Sequence, residues 1–254
     1  MREMRDIKKE WDDAAESWAK FVRKGKDYHR DELNNPAIFE LIGDVKGKQV
    51  LDLACGEGYN TRILAAKGAK VTGVDFSEKM IDLAKHEEAR MNQGISYYVM
   101  DASNLEKFSG NCFDLVTCFM SLQDMKNYRK AMSEVSRVLR NQGRFVFSIP
   151  HPCFETITVN GKKISAREKY CNTVKYPIEW NMERLERHFK TSSFHRTLTD
   201  YFEALFKNKL SVLRLVEPKP TRRGLQIHPS FRRHLNRPES IVIESVKSIE
   251  ALPT

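Results

Sequence analysis

Gly56 and Gly58 directly follow an apolar run at 50–54, and this spacing is the first in the chain that could do chemistry. Glycines at the end of a strand let the chain turn sharply and let a ligand approach the backbone beside the next helix. A site for a nicotinamide dinucleotide would need glycine or alanine at position 61, where Thr61 stands. The pattern therefore predicts a ligand site at a strand end and argues against a dinucleotide phosphate site.

Two aspartates end the next two apolar runs. Asp75 stands nineteen residues after Gly56, where a carboxylate can accept hydrogen bonds from both ribose hydroxyls of a nucleoside. Asp101 ends the third run. A plain helix cap is the alternative role for Asp75, and a turn closed on Ser103 is the alternative for Asp101. The position of Asp75 favours a nucleoside-type ligand.

Short apolar runs and amphipathic stretches alternate along the middle of the chain. They predict strands at 50–54, 71–74, 95–100, 113–119 and 145–149, and helices at 59–67, 78–92 and 125–139. Near-continuous apolar strands that alternate with amphipathic helices are typical of a parallel sheet covered on both faces. The sequence therefore predicts an α/β fold.

The flanking segments extend this alternation. Apolar residues from Trp11 to Val22 recur at helical spacing and predict an amphipathic helix, and Asn35-Pro36 opens a short second one. The stretch 150–195 is polar and irregular, which predicts an insertion after the fifth strand. A helix at 198–208 and strands at 210–216 and 240–246 are predicted to follow. The whole chain is predicted to be one domain, with the parts 1–45 (helical flap), 46–150 (core), 151–196 (insertion) and 197–254 (last helix and strands six and seven).

Four stretches carry a resemblance to a known family: VLDLACGEG at 50–58, VTGVDFSEKM at 71–80, MDAS at 100–103 and FDLVTCFMSLQDM at 113–125. In this order and at these spacings, the sequence resembles the class I S-adenosylmethionine-dependent methyltransferases of small-molecule type. The resemblance implies a Rossmann-like fold with a doubly wound, mostly parallel seven-stranded sheet. It also implies that the core binds S-adenosyl-L-methionine, with S-adenosyl-L-homocysteine as product, and that the insertion lies on the substrate side.

The resemblance assigns the methionine end and the ribose of the cofactor to particular positions. Asp52 and the backbone of 54–56 would hold the methionine end, and the Phe119 carbonyl would accept from its ammonium group. Asp75 would bind the ribose hydroxyls. Ala54 departs from the family pattern, which often has glycine there, by a single methyl group.

The adenine end is assigned in the same way. Phe76 and Met80 would flank the ring, although a core position is the alternative for Met80. Asp101 would accept from the amino group, and the Ala102 amide would meet a ring nitrogen. The complete predicted cofactor set is Tyr28, which would close over the cofactor from the flap, with Asp52, Ala54, Cys55, Gly56, Gly58, Asp75, Phe76, Met80, Asp101, Ala102 and Phe119.

Two histidines are the catalytic candidates. Methyl transfer is an in-line displacement, so an enzyme mainly aligns the acceptor with the methyl group, and a base is needed only when the acceptor must lose a proton. His151 follows the fifth strand at the carboxyl edge of the sheet, and His195 precedes the helix after the insertion. Either could orient or deprotonate the acceptor near neutral pH. The alternative for each is a structural hydrogen bond.

Three functions remain open at this point. The leading one is methylation of an O, N or C atom of a small molecule. The second is an RNA or protein methyltransferase that uses the basic segment 214–237, where seven Lys and Arg accompany the single acid Glu217. A solvated basic loop is the alternative role of that segment, because aromatic residues are not interleaved there at the spacing needed for base stacking. The third is a non-catalytic S-adenosylmethionine-binding protein.

Composition limits the class of protein. The net charge is +9 over 254 residues, with 24 Lys and Arg against 23 acids in 1–150 and 19 against 11 in 151–254. No run of 18 apolar residues could span a membrane, and no apolar core follows the N-terminal residues as in a signal peptide. The five cysteines form no CxxC pair, and no HExxH occurs, so no metal site is predicted. We expect a cytoplasmic protein with reduced thiols and no membrane partner, as a monomer or homodimer.

Overall fold

The computed structural model describes residues 2–181 and 185–248. Its strands, in chain order, are β1 (Gln49–Leu53), β2 (Lys70–Asp75), β3 (Ser96–Val99), β4 (Phe113–Phe119), β5 (Leu139–Pro150), β6 (Thr156–Val159), β7 (Lys162–Ser165), β8 (Val174–Trp180), β9 (Phe189–His195), β10 (Leu210–Val216) and β11 (Ser240–Lys247).

The α-helices lie between these strands and before them. They are α1 (Arg2–Arg23), α2 (Asn35–Ile42), α3 (Tyr59–Ala66), α4 (Glu78–Met91), α5 (Tyr128–Val138), α6 (Leu198–Lys207) and α7 (Arg222–Ile227). A π-helical turn, Arg30–Asn34, precedes α2, and 3₁₀ turns occur at Leu122–Asp124, Ala166–Lys169 and Pro229–Leu235.

Seven strands form the central sheet in the order β10-β11-β5-β4-β1-β2-β3. The five strands from β5 to β3 pair in parallel, and β11 alone runs against its neighbours. The reversal of strand order lies between β1 and β4, which is where an open α/β sheet leaves a crevice for ligands. The predicted doubly wound, mostly parallel seven-stranded sheet is confirmed.

Both faces of the sheet are buried under helices. On β1, Val50 belongs to the apolar cluster that includes Leu64 of α3 and Ile81 of α4. The next residue, Leu51, belongs to the cluster on the other face with Met132 of α5. Successive strand residues point to opposite faces, so a strand covered on both sides must be apolar throughout. This burial explains the continuous apolar runs in the sequence.

The sequence predicted an irregular insertion after β5. The structure instead shows two antiparallel hairpins there, β6–β7 and β8–β9. The first hairpin turns at Asn160 and Gly161, which both have positive φ, 49° and 75°. An Asn-Gly pair is a strong hairpin signal because both residues accept this conformation. The prediction failed because these strands are rich in Lys, Ser and Thr, so their sequences show no clear alternation of apolar and polar residues.

Helix α1 packs against α4 and β9, so the predicted flap lies across both the core and the insertion. No helix within the described residues is long and apolar enough to cross a membrane.

Candidate functional site

A cavity of about 490 Å³ lies at the carboxyl ends of the parallel strands, beneath α1. Its size falls in the range of pockets that hold a cofactor-sized ligand. Of the twelve predicted cofactor residues, ten line it: Asp52, Ala54, Cys55, Gly56, Asp75, Phe76, Met80, Asp101, Ala102 and Phe119. The structure therefore brings together residues that lie up to 67 positions apart in the chain.

The loop from β1 to α3 forms one wall of the cavity by an unusual backbone path. Ala54, Gly56 and Gly58 all have positive φ, at 54°, 56° and 83°. This conformation is readily accessible to glycine but strained for alanine. The departure at Ala54 therefore changes more than side-chain size, because a left-handed alanine is held at the ligand site.

Asp75 is buried, and its carboxylate is oriented by two backbone amides. Gly56 N–H donates to Oδ2 at 2.9 Å, and Ser77 N–H donates to Oδ1 at 2.9 Å. Burial raises the pKa of Asp75 to about 6. Each carboxylate oxygen can accept a further hydrogen bond, so both remain available to a pair of hydroxyls. Ser77 caps α4 by accepting from Met80 N–H.

Asp52 is also buried, at 1% exposure. Its carboxylate accepts from Thr61 Oγ1 at 2.6 Å and from Thr117 Oγ1 at 2.9 Å. Burial raises its pKa to about 7, the threonine hydroxyls oppose this rise, and the charge of Asp75 adds to it. None of these groups is a cation. A buried carboxylate without a cationic partner fits a ligand that brings one.

Asp101 and Phe76, which were predicted to contact the adenine ring, both line the cavity. Asp101 accepts from Ser103 N–H at 2.8 Å, so the turn offered as its alternative role is present while the residue still lines the cavity. Phe119 also lines the cavity, and its carbonyl accepts from Ser121 Oγ at 2.8 Å. A carbonyl oxygen has a second lone pair, so this bond leaves it able to accept another donor.

Gly58 and Tyr28 do not line the cavity. Gly58 is the N-cap of α3, and a side chain there would collide with the hydroxyl of Tyr97. Position 58 therefore requires glycine for the turn before α3 and for packing against Tyr97. Tyr28 packs on the ring of His228 with centroids 4.2 Å apart. The predicted contacts of these two residues with the cofactor lack support from their positions.

Neither candidate catalytic histidine lines the cavity. His151 is 4% exposed, and its Nε2 lies 2.9 Å from Glu217 Oε1. His195 is fully buried, with Nδ1 on the carboxylate of Glu155 and Nε2 3.1 Å from the Tyr170 carbonyl. Burial opposes the charged form of His195, but Glu155 outweighs it and raises the pKa. Because a base must reach its proton, these positions support the structural alternative for both histidines, and a catalytic role stays a prediction.

Helix α1, which belongs to the predicted flap, contributes to the cavity through tryptophans for which the sequence favoured core packing. Trp11 and Trp18 of α1 meet Trp180 of β8 at ring-centroid distances of 6.3 and 5.0 Å, and all three line the cavity. Their spacing in the sequence predicts one face of a packed helix, and the contacts between the rings show that packing as well. Gln123 and Asp124, which also line the cavity, were missed, because they lie in a stretch quoted only for its family resemblance.

Helix α1 is attached to the loops that form the cavity. Arg23 Nε lies 2.6 Å from Glu57 Oε2, in the glycine loop, and its Nη1 lies 3.0 Å from Glu87 Oε1. Asp12 accepts from Ser77 Oγ at 2.7 Å, at the start of α4. These contacts hold the flap over the ligand site.

Three arginines of the basic segment 214–237 have partners within the chain. Arg214 pairs with Glu244 at 2.6 Å, and Arg223 pairs with Glu32 at 3.4 Å. Arg237 donates to the Phe154 carbonyl. These partners reduce the charge that the segment can offer to a nucleic acid.

Comparisons with known proteins agree with this geometry. Residues 51–147 match the model of a family described as a methyltransferase domain. A ubiquinone biosynthesis O-methyltransferase of Coxiella burnetii is 34% identical over 139 residues, which cover 54% of this chain and 58% of that protein. An uncharacterized protein of Haemophilus influenzae is 26% identical over 224 residues, covering 85% of this chain and 87% of that protein.

Among solved structures, an S-adenosylmethionine-dependent methyltransferase from Mesorhizobium loti superposes with a TM-score of 0.67 at 24% identity. The match covers 83% of this chain and 96% of that one. This likeness shows the shared fold. By contrast, the match to the Coxiella protein covers little more than half of that protein's length.

Proposed function

We propose that this chain, which is an S-adenosylmethionine-dependent methyltransferase, transfers the cofactor's methyl group to an O, N or C atom of a small molecule. The observation that carries the proposal is the convergence of ten predicted cofactor residues on one cavity at the strand ends. The Coxiella relative, named for ubiquinone biosynthesis, supports a small-molecule acceptor.

The residues of the cavity fit the cofactor from end to end. Asp75 would accept from the ribose hydroxyls with the two oxygens that Gly56 and Ser77 orient. Asp52 and the Phe119 carbonyl would receive the ammonium group, which supplies the cation that Asp52 lacks. Phe76 and Asp101 would contact adenine.

The chain's own contribution is alignment and exclusion of water. When bound, S-adenosylmethionine supplies an electrophilic methyl group on a sulfonium. The strand ends fix one side of the cavity, and Trp11 and Trp18 of α1 cover the other with apolar surface. Holding the acceptor in line with the methyl group converts the encounter into an intramolecular step, which is the main source of rate in such transfers.

We further propose that the protein works in the cytoplasm, as a monomer or homodimer. All five cysteines carry free thiols, which supports a reducing compartment. The internal partners of Arg214, Arg223 and Arg237 weigh against an RNA acceptor.

Calorimetric titration with S-adenosylhomocysteine tests the cofactor site. Asp75→Ala removes two charge-assisted hydrogen bonds, so affinity should fall by about tenfold or more. The matched control is Asp82→Ala, which removes an exposed acid of α4 and should leave affinity unchanged. Equal affinity of wild type and Asp75→Ala would refute the ribose assignment.

A further inference from the structure

Two histidines and one glutamate form a cluster beside the cavity. His29 directly precedes the π-helical turn before α2, His234 lies in the 3₁₀ turn Pro229–Leu235, and Glu239 directly precedes β11. One ligand atom of each residue, a ring nitrogen or a carboxylate oxygen, lies within 4.8 Å of the other two. His29 and Glu239 stand 210 positions apart in the chain, so their spacing does not indicate a metal site. The fold alone brings these three side chains together.

The distances within the cluster suit a single metal ion. Glu239 Oε2 lies 2.7 Å from His29 Nδ1 and 3.3 Å from His234 Nε2. In a zinc site each ligand atom lies about 2.0–2.2 Å from the metal, so the ligand atoms of a tetrahedron lie about 3.3–3.6 Å apart. Small changes in side-chain torsion angles would therefore place all three atoms around one ion.

His234 directs a lone pair toward Glu239. Arg233 Nε–H donates to His234 Nε2 at 3.1 Å, so this nitrogen acts as an acceptor. The Glu239 oxygen that lies 3.3 Å away is also an acceptor. Two acceptors that face each other at this distance repel, whereas a cation between them would attract both. Coordination of a metal would replace the hydrogen bond from Arg233.

The donor set indicates the class of metal. Imidazole nitrogens suit zinc and other transition metals, whereas Mg²⁺ and Ca²⁺ prefer sites built from oxygen atoms. In zinc sites of catalytic type, two histidines and one glutamate leave a fourth position for another ligand. His29 and Glu239 both line the cavity described above, so the fourth ligand would come from the cavity.

The groups around the cluster favour a bound cation. The carboxylates of Asp27 and Glu239 and the guanidinium of Arg233 all lie close enough to His29 to act on its charge. Two negative charges against one positive charge leave an environment that attracts a cation. The ring of Phe231 packs on His29 and His234, with centroids 4.7 and 5.6 Å apart, and holds the two imidazoles in place.

We propose that His29, His234 and Glu239 bind a divalent transition metal of the zinc type, with water or an oxygen or nitrogen donor from the cavity as the fourth ligand. The metal takes the place of the proton that His29 Nδ1 donates to Glu239, and that proton is released to solvent. This inference goes beyond the proposed function and does not rest on it.

Calorimetric titration of the full chain with Zn²⁺ tests the proposal. One Zn²⁺ should bind per chain, and an excess of Mg²⁺ should not displace it. Titration with Co²⁺ should give the visible absorption of a four-coordinate site with nitrogen and oxygen ligands. The near-ultraviolet band of a thiolate ligand should be missing, which would exclude the five free cysteines as the source of binding.

Variants of the ligands and of Arg233 separate this site from adventitious binding. His29→Ala and Glu239→Gln should each weaken Zn²⁺ binding by about a hundredfold or more, because the loss of an outer-shell partner alone costs about 10–100-fold. Arg233→Ala should instead bind Zn²⁺ more tightly. It removes a positive charge and the donor that competes for His234 Nε2.

Matched controls test whether the effects belong to these residues. His86→Ala removes an exposed histidine, and Arg232→Ala removes the exposed neighbour of Arg233, so both should bind Zn²⁺ as wild type does. Melting temperatures in the presence of a chelator show whether each variant folds. If both ligand variants fail to fold, zinc X-ray absorption on the wild type decides, since it should show two imidazole ligands and no sulfur.

The outcomes distinguish the metal site from the proposed function. Failure to bind Zn²⁺, full affinity in both His29→Ala and Glu239→Gln, or a sulfur ligand would overturn the site. Zn²⁺ binding by Arg233→Ala that is no tighter than by Arg232→Ala would overturn the assignment of His234 as a ligand. Failure to bind S-adenosylhomocysteine would overturn the proposed function and leave the metal site standing.

Discussion

At the scale of single residues, the site depends on two carboxylates whose pKa values are raised toward neutral pH by burial. Asp52 and Asp75 have pKa values raised to about 7 and about 6, since both lie beneath α1 at the strand ends. Each would be ionised when it receives a cationic or hydroxyl-bearing ligand. Cofactor binding is therefore linked to the loss of protons from these groups.

This linkage leads to a pH dependence. Affinity for S-adenosylhomocysteine should be highest near pH 8 and fall below it, by up to about tenfold per pH unit for each group that must lose a proton. The decline should begin near pH 7 with Asp52 and steepen near pH 6 with Asp75. Calorimetry across this range measures it. In Asp52→Asn the upper part of the decline should disappear; an unaltered profile would contradict the role of Asp52.

The buried pair of His195 and Glu155 gives a prediction on stability. Removing one partner leaves the other charge buried, which costs about 3–5 kcal/mol. His195→Ala should therefore lower the free energy of unfolding by that amount in urea titrations. Its affinity for S-adenosylhomocysteine should be unchanged while it is folded. The control is the exposed His86→Ala. Normal stability with lost turnover would support the catalytic hypothesis.

Residues of the cofactor site could be predicted from the sequence because their positions depend on the local order of strands, turns and helices. Strand-end positions such as Asp75 and Asp101 follow from where the apolar runs stop. The contacts of the two histidines could not be predicted in this way, because the partners of His151 and His195 come from segments 66 and 40 residues away. The residues next to each histidine in the sequence do not indicate such a distant partner.

At the scale of elements, α1 is the part of the molecule that closes the site. Its Arg23 joins the glycine loop through Glu57, whose side chain is 1% exposed. Because Glu57 lines the cavity, this contact couples the position of the flap to the ligand. The sequence predicted the helix but not its attachments, since they depend on the orientation of α1 relative to α4.

Loss of this attachment should weaken cofactor binding. Arg23→Ala should reduce affinity for S-adenosylhomocysteine by about three- to tenfold, the strength of one or two hydrogen bonds. Amide hydrogen exchange should show protection of α1 by the ligand in wild type and less in the variant. Lys20→Ala, which removes an exposed pair with Glu186 on the same helix, should match wild type. Equal affinity of both variants would show that α1 does not close on the ligand.

The strands of the insertion could not be predicted from the sequence. The β8–β9 hairpin delivers Trp180 to the cavity and buries Thr191 and Ser193 on its inner face. Short strands with small polar residues on the buried face carry little hydrophobic periodicity, so they resemble loops in the sequence. The Asn160-Gly161 turn was the one local signal available.

At the scale of the whole molecule, the fold places chemistry at one edge of one sheet. The order of strands reverses between β1 and β4, and the loops that follow both strands form the cavity walls. Of the basic segment 214–237, Arg214, Arg223 and Arg237 have their partners outside the cavity. This arrangement favours a small acceptor that enters the cavity over a polymer that lies on the surface.

The most direct test of this account is a crystal structure of the protein with S-adenosylhomocysteine. The expected result is a ligand in the cavity beneath α1, with both ribose hydroxyls on the Asp75 carboxylate, the ammonium group near Asp52, and the adenine beside Asp101. The sulfur should face the part of the cavity lined by Trp11, Trp18 and Trp180. A ligand bound elsewhere, or one whose ribose does not contact Asp75, would contradict it.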